Sequence, residues 1–133
     1  MRSRYIIFAD DDADDLELIT GFFKQYNRNV NVLEFKDGKE VLKFLDEFAQ
    51  TASEPILIVL DINMPRMNGR EALAAIRRHS RFQHIPVILY TTSSSKSDQE
   101  YCRQHHATWV NKPYNIDEVR HVAKIISEFC QIP

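Results

Sequence analysis

The chain switches repeatedly between two hydrophobic periods. Unbroken apolar runs of strand length stand at Tyr5–Ala9, Ile56–Leu60 and Pro86–Tyr90, with weaker ones at Val30–Phe35 and Thr108–Asn111. Between them the apolar positions recur at helical spacing. Leu16, Ile19, Phe22, Phe23 and Tyr26 share one stripe, as do Val41, Leu42, Phe44, Leu45 and Phe48, and then Ala72, Leu73 and Ile76. The widest stripe is the last, made of Ile116, Val119, Val122, Ala123, Ile125, Ile126 and Phe129. Asn115 is its predicted N-cap, Glu118 the capping-box partner, and Pro113 stands just upstream. Five strands alternating with five helices predict an α/β domain. Central strands that are apolar almost throughout are covered on both faces, which implies a doubly wound, five-stranded parallel sheet. In such folds ligands bind beyond the carboxyl ends of the strands, so the functional residues are expected in the βα loops.

Composition narrows the picture. A chain of 133 residues has room for one core, and no Pro-, Gly- or Ser-rich stretch of linker length interrupts it. Residues 1–133 are therefore expected to form one domain with no output domain attached. Seventeen Lys and Arg against nineteen Asp and Glu give a formal net charge of −2, which supplies no positive field for a polyanion. This argues against direct nucleic-acid binding. The N-terminal apolar run is too short for a signal-peptide core or a membrane span, so no membrane insertion and a cytoplasmic location are expected. Cys102 and Cys130 lack C-x-x-C spacing and clustered histidines, which disfavours a disulfide scaffold and a zinc knuckle alike. The histidines show no metal spacing, and His105-His106 reads as an exposed helix end. Arg66, Arg70, Arg77, Arg78 and Arg81 read as a solvated helix face.

The strand ends carry the chemistry. Asp10-Asp11-Asp12 follow the first strand, Asp61-Ile62-Asn63-Met64-Pro65 the third, Thr91-Thr92-Ser93-Ser94-Ser95 the fourth and Asn111-Lys112-Pro113 the fifth. With the strand order 2-1-3-4-5, one of the common doubly wound orders, the first and third strands are neighbours at the switch point and their carboxylates converge. Clustered carboxylates repel one another and retain protons unless a cation neutralises them. Hard oxygen donors in a site open to solvent suit Mg²⁺. Asp61 directly follows the most apolar strand, so it stands at the strand's tip as a nucleophile. Beside a metal, a Thr hydroxyl and a Lys ammonium it has what phosphoryl transfer requires, and it is expected to become an aspartyl phosphate. Helix capping and the helix dipole, for about 0.3 to 1 kcal/mol each, account for Asp12, Asp14 and Asp15. Capping does not account for Asp10 and Asp11 following a buried strand. Thr91 and Lys112 taken singly are an ordinary strand-end hydroxyl and a loop lysine; their co-occurrence gives them meaning.

These residues resemble the motifs of the response-regulator receiver domain, the phosphoacceptor module of two-component signalling. Ile6-Ile7-Phe8-Ala9-Asp10-Asp11 is similar to the family's first strand and acidic pair. Leu60-Asp61-Ile62-Asn63-Met64-Pro65-Arg66-Met67-Asn68-Gly69 is similar to its phosphoacceptor strand and loop, and Thr91 and Lys112-Pro113 complete the set. The resemblance covers essentially the whole chain and implies a flavodoxin-like receiver fold and a stand-alone response regulator. It implies that Asp61 accepts a phosphoryl group from a histidine kinase or phosphotransfer protein. Asp10, Asp11, Asp61 and the backbone carbonyl of Asn63 would hold Mg²⁺, Lys112 and Thr91 would take phosphoryl oxygens, and Thr91 and Trp109 would act as the switch. Output would pass through the face made by the fourth helix, fifth strand and fifth helix to a downstream protein. The only catalysis implied is the chain's own phosphorylation and dephosphorylation.

Several departures from the family pattern stand out. Trp109 replaces the usual Phe or Tyr, and plain core packing competes with a switching role for it. Thr92 stands where the family generally has a small residue, and Asn63 and Ser93 occupy positions that tune phosphoryl lifetime. Lys112-Pro113 is a candidate cis peptide by resemblance alone. The wide last stripe leaves a homodimer open. Two other functions remain alternatives. One is a Mg²⁺-dependent aspartyl-phosphate phosphohydrolase, opposed by Asn63 where a second Asp would serve as acid and base; the other is a receiver-like adaptor that works without phosphorylation. Flavin binding is opposed by Asp10–Asp12, which would repel a phosphate.

Overall fold

The computed structural model describes residues 4–47 and 53–130. In chain order the elements are β1 (Arg4–Ala9), α1 (Ala13–Tyr26), β2 (Val30–Phe35), α2 (Gly38–Glu47), β3 (Ile58–Leu60), α3 (Gly69–Arg78), β4 (Val87–Thr91), α4 (Lys96–Gln104), β5 (Thr108–Asn111) and α5 (Ile116–Phe129). The strands form one parallel sheet, as the alternation of periods predicts, in the doubly wound order β2-β1-β3-β4-β5. Successive side chains of β1 point to opposite faces. Tyr5, Ile7 and Ala9 pack with Val41 and Leu45 of α2, Ala72, Leu73 and Ile76 of α3 and Cys102 of α4. Ile6 and Phe8 pack with Leu16, Ile19 and Phe23 of α1 and Val119, Val122, Ala123 and Ile126 of α5. One strand thus serves two cores, which is why its sequence has no polar alternation. Each fully buried aliphatic or aromatic side chain contributes roughly 1.5 to 3 kcal/mol.

The differences from the sequence expectation are local. β3 begins at Ile58 rather than Ile56, although the Ile56 N–H already donates to Tyr5 O at 2.9 Å. β4 starts after Pro86, which has no N–H to give to a ladder, and runs through Thr91, which pairs with Asn111. Asn115 caps α5 by accepting from the Glu118 N–H at 2.9 Å, but the Glu118 carboxylate reaches the N–H of Tyr114, not of Asn115. The reciprocal capping box belongs to α3, between Asn68 and Glu71. Val119, Val122, Ala123 and Ile126 of the last stripe are buried, while Ile116 and Phe129 remain exposed. Phe48 lies outside the described residues. No cis peptide occurs among the described residues, so Lys112–Pro113 is trans.

The arginines do not form a solvated face. Arg77 donates to the carbonyls of His105, Gln83, Ile85 and His106, and Arg66 holds Asp37 through Nε at 2.8 Å and Nη2 at 2.6 Å. Arg70 meets Asp98 at 3.0 Å and lies 4.2 Å from the Tyr101 ring centroid. A guanidinium offers five donors that carbonyls and carboxylates at the ends of other elements can satisfy, a partnership that periodicity does not reveal. Arg78 alone of α3's arginines is exposed as expected. His105 closes α4 and stacks on Tyr101 with centroids 4.0 Å apart, while exposed His106 follows with φ 56°, as at many helix ends.

Gly69 opens α3 directly behind Asp61. A Cβ there would stand 2.3 Å from the Asp61 carbonyl oxygen, and backbone on both sides leaves no flexible group to yield. Gly69→Ala is therefore expected to cost about 1 to 3 kcal/mol, read as a lower urea midpoint with an unchanged slope.

Candidate functional site

Two backbone bonds assemble the site. The Asp61 N–H donates to Ala9 O at 2.9 Å, carrying the β1–β3 ladder one residue past the strand and setting Asp61 beside Asp10. The Lys112 N–H donates to Thr91 O at 2.8 Å and carries the β4–β5 ladder forward in the same way. Asp10 and Asp61 are buried, with 1% and 4% of their surface exposed, and Asp11 is open to solvent. One carboxylate oxygen from each lies within 4.8 Å of the other two. The Lys112 ammonium reaches into this cluster, 2.8 Å from Asp10 Oδ2, 3.2 Å from Asp61 Oδ2 and 3.3 Å from Asp15 Oδ2.

Burial pushes the Asp61 carboxyl up to about 6; Lys112 opposes the shift and Asp10 adds to it. Burial also works against the charge on Lys112, but the Asp10 and Asp61 carboxylates outweigh it and hold the ammonium above the ordinary lysine range. One ammonium among four carboxylates leaves the cluster short of positive charge. Asp10 Oδ2, fully shielded from solvent, accepts no aligned hydrogen bond among the described residues despite its nearness to Lys112. An under-satisfied buried oxygen, two further carboxylates and one side open to water fit a hard divalent cation that keeps part of its hydration shell.

The remaining predicted residues surround this centre. Asn63 is exposed, and its N–H donates to Asp61 Oδ1 at 3.4 Å. Thr91 is fully buried, and its Oγ1 accepts from the Ser93 N–H at 3.1 Å. Thr92 is exposed beside it. Trp109 is half-buried against the α2–α3–α4 core, and its indole N–H is shielded from water without a partner among the described residues.

Two parts of the site escaped the sequence. Asp15, read as a helix-start acid, touches Lys112, and no local signal separates it from Asp14. The second is a chain of contacts leading away from Thr91. The Ser93 hydroxyl donates to Asp98 Oδ2 at 2.8 Å, and Asp98 Oδ1 accepts from Arg70 Nη1 at 3.0 Å. No local pattern announces these partners. A crevice of about 240 Å³ opens beside Lys112, lined by Asp15, Leu18, Tyr90, Tyr114 and Ile116 among others. A groove of about 780 Å³ along α2 contains none of these groups.

Comparison with known proteins agrees with this geometry. The family model described as the response regulator receiver domain matches residues 6–124. A probable methanogenesis regulatory protein, FilR2 of Methanothrix harundinacea, is 27% identical over 126 residues, covering 93% of this chain and 81% of that protein. The phosphorylated cyanobacterial phytochrome response regulator RcpA superposes with a TM-score of 0.87 at 29% identity, over 95% of this chain and 92% of that one. The Mn²⁺-bound form of response regulator Rcp1 gives a TM-score of 0.86 at 26% identity, over 96% of this chain and 94% of that one.

The Asp61 carboxyl also links stability to pH. Its pKa rises from 3.8 in the unfolded chain to about 6 when folded, so the folded state binds the proton more tightly. Stability from this group is highest below the unfolded value, falls as pH rises between the two, and its full cost is present above them. Metal-free Asp61→Asn is expected to be more stable than wild type by about 2 kcal/mol at pH 8, the gap closing below pH 4 in urea titrations.

Proposed function

The chain belongs to the response regulator receiver domain family, and we propose that it is a phosphorylation-controlled binding module in which Asp61 is the phosphoacceptor. The observation that carries this reading is the clustering of Asp10, Asp11 and Asp61 at the ends of adjacent strands, with the Lys112 ammonium against Asp10 and Asp61. The chemistry is a displacement at phosphorus. An Asp61 carboxylate oxygen bonds to phosphorus as the bond to the donor's phosphohistidine nitrogen breaks, and the imidazole leaves with the electron pair. Reversal by water forms a new P–O bond, returns the electron pair to the Asp61 carboxylate and releases a proton to solvent. Lys112 neutralises charge on the transferred oxygens, and Thr91 offers them its hydroxyl.

Asp10, Asp11, Asp61 and the Asn63 carbonyl are the residues we assign to Mg²⁺. The ion, when bound, supplies further neutralisation of phosphoryl charge. The shortfall of positive charge and the under-satisfied Asp10 Oδ2 support this assignment. Asn63 brings no second carboxylate beside Asp61, which favours a signalling role over turnover of free phosphate esters.

Output is assigned to the surface of α4, β5 and α5, reached from Thr91. A Thr91 side chain drawn toward a phosphoryl group gives up the bond from Ser93 N–H, and Ser93 is tied to Asp98 of α4. A ligand shifts such an equilibrium only through its different affinity for the two states. Trp109, on β5 beside this path, is assigned the part of the switch aromatic. The partners are a sensor histidine kinase or phosphotransfer protein and a downstream protein. No helix among the described residues is long and apolar enough to cross a membrane. The location we assign is the cytoplasm, where a phosphodonor kinase domain would meet the receiver.

With Mg²⁺ and acetyl phosphate, wild type is expected to gain the mass of one phosphoryl group, acid-stable and base-labile, and Asp61→Asn to gain none. Identical behaviour of the two proteins would sink the reading. Trp109 is the chain's single tryptophan, so its fluorescence reports on the switch directly. Beryllofluoride with Mg²⁺ is expected to change the emission of wild type and leave that of Thr91→Ala unchanged. Phosphorylation without any emission change assigns Trp109 to plain core packing.

A further inference from the structure

Of the three acids that touch Lys112, phosphoryl chemistry at Asp61 employs Asp10 and Asp61, and Asp15 is left over. It rises from the first turn of α1 with 49% of its side chain exposed, and its Oδ2 stands 3.3 Å from the ammonium. The three contacts of Lys112 are unlike one another. The Asp10 and Asp61 carboxylates are buried, with side-chain exposures of 0% and 6%, so leaving either unpaired carries a desolvation penalty. The Asp15 carboxylate keeps its water, and an exposed pair of this kind is worth little. Of the three it is the contact the ammonium releases most readily. Asp15 and Lys112 also line the same crevice, together with Tyr90 and exposed Tyr114 and Ile116. Lys112 links that crevice to Asp61, 3.2 Å from its ammonium.

We propose that Asp15 is a positioning residue for phosphoryl acceptance. It draws the Lys112 ammonium toward α1 in the resting protein and sets a fixed negative charge beside the approach to Asp61. This deepens the phosphoacceptor reading and rests on it. Both effects act in one direction. An incoming phosphoryl group must win the ammonium from Asp15, and an anionic donor must approach against Asp15's charge. Removing the charge therefore speeds acceptance, most for the most highly charged donor and at the lowest ionic strength.

The test compares wild type, Asp15→Asn, Asp15→Glu and Asp14→Asn, each with Mg²⁺ and one of two small donors. With acetyl phosphate, a dianion, an Asp61 oxygen bonds to phosphorus as the P–O bond to acetate breaks. Acetate leaves with the electron pair and no proton moves. With phosphoramidate, a monoanionic zwitterion, the P–N bond breaks and ammonia leaves with the pair, its protons already in place. Asp15→Asn is expected to accept from acetyl phosphate about three- to tenfold faster than wild type at low salt. The gain is expected to be smaller with phosphoramidate and to fade in high salt. Asp15→Glu restores the charge and brings the rate back toward wild type. Asp14→Asn removes a carboxylate from the same helical turn, controls for the loss of helix-dipole charge, and stays within about twofold of wild type.

An Asp15→Asn rate equal to or below wild type, or a gain insensitive to salt and to donor charge, overturns the role of Asp15 and leaves Asp61 as phosphoacceptor. A wild-type chain that takes no phosphoryl group from either donor overturns both. Thermal melts of the four proteins identify any rate change that comes from unfolding.

Discussion

The Lys112 ammonium stands between Asp10 and Asp61. Without it two buried carboxylates would face each other across adjacent strand tips, an arrangement that costs several kcal/mol unless one of them takes a proton. With it, charge is still not balanced, because Asp11 and Asp15 also belong to the cluster. Burial keeps the Asp61 carboxyl near 6 despite an ammonium 3.2 Å away, and the Asp10 carboxylate adds to the rise. The Lys112 backbone is placed by the sheet: β5 pairs with β4, and the Lys112 N–H continues that ladder to Thr91. The geometry of the cluster here follows from sheet register.

What the sequence made legible follows from this. Strand tips can be read wherever an apolar run stops at a polar residue, and in a parallel sheet those tips lie on one edge, so Asp10, Asp61, Thr91 and Lys112 were found as a set. The parallel sheet and its covering on both faces followed from the two periods, and the strand order from the doubly wound class. Residues that act across elements were hidden. Asp15 and Asp14 look alike in sequence, and only the fold brings one of them to Lys112. Arg66, Arg70 and Arg77 were read as a solvated face, because a guanidinium's partners are carbonyls and carboxylates about 30 residues away as often as neighbours. Ser93 illustrates the same limit within a single loop: the polar run Thr91–Asp98 signals a turn, but not that its hydroxyl joins Asp98 to the Thr91 side of the sheet.

The two ends of α4 are held by different means. At its C-terminal end, Arg77 of α3 binds the carbonyls of His105 and His106, two neutral groups that no change of charge at the sheet's edge addresses. At its N-terminal end, Asp98 is shared by Arg70 and by Ser93, whose own N–H rests on Thr91. One attachment is made to backbone carbonyls, and the other leads back to Thr91 at the end of β4.

In the proposed switch, Arg77 would make the His105 end of α4 a pivot. Across nine residues, about 13 Å of helix, a small rotation about the His105 end leaves that end in place and moves the Asp98 end the most. A partner resting over the pivot would feel nothing of the site's state, while one resting over the first turn would feel all of it.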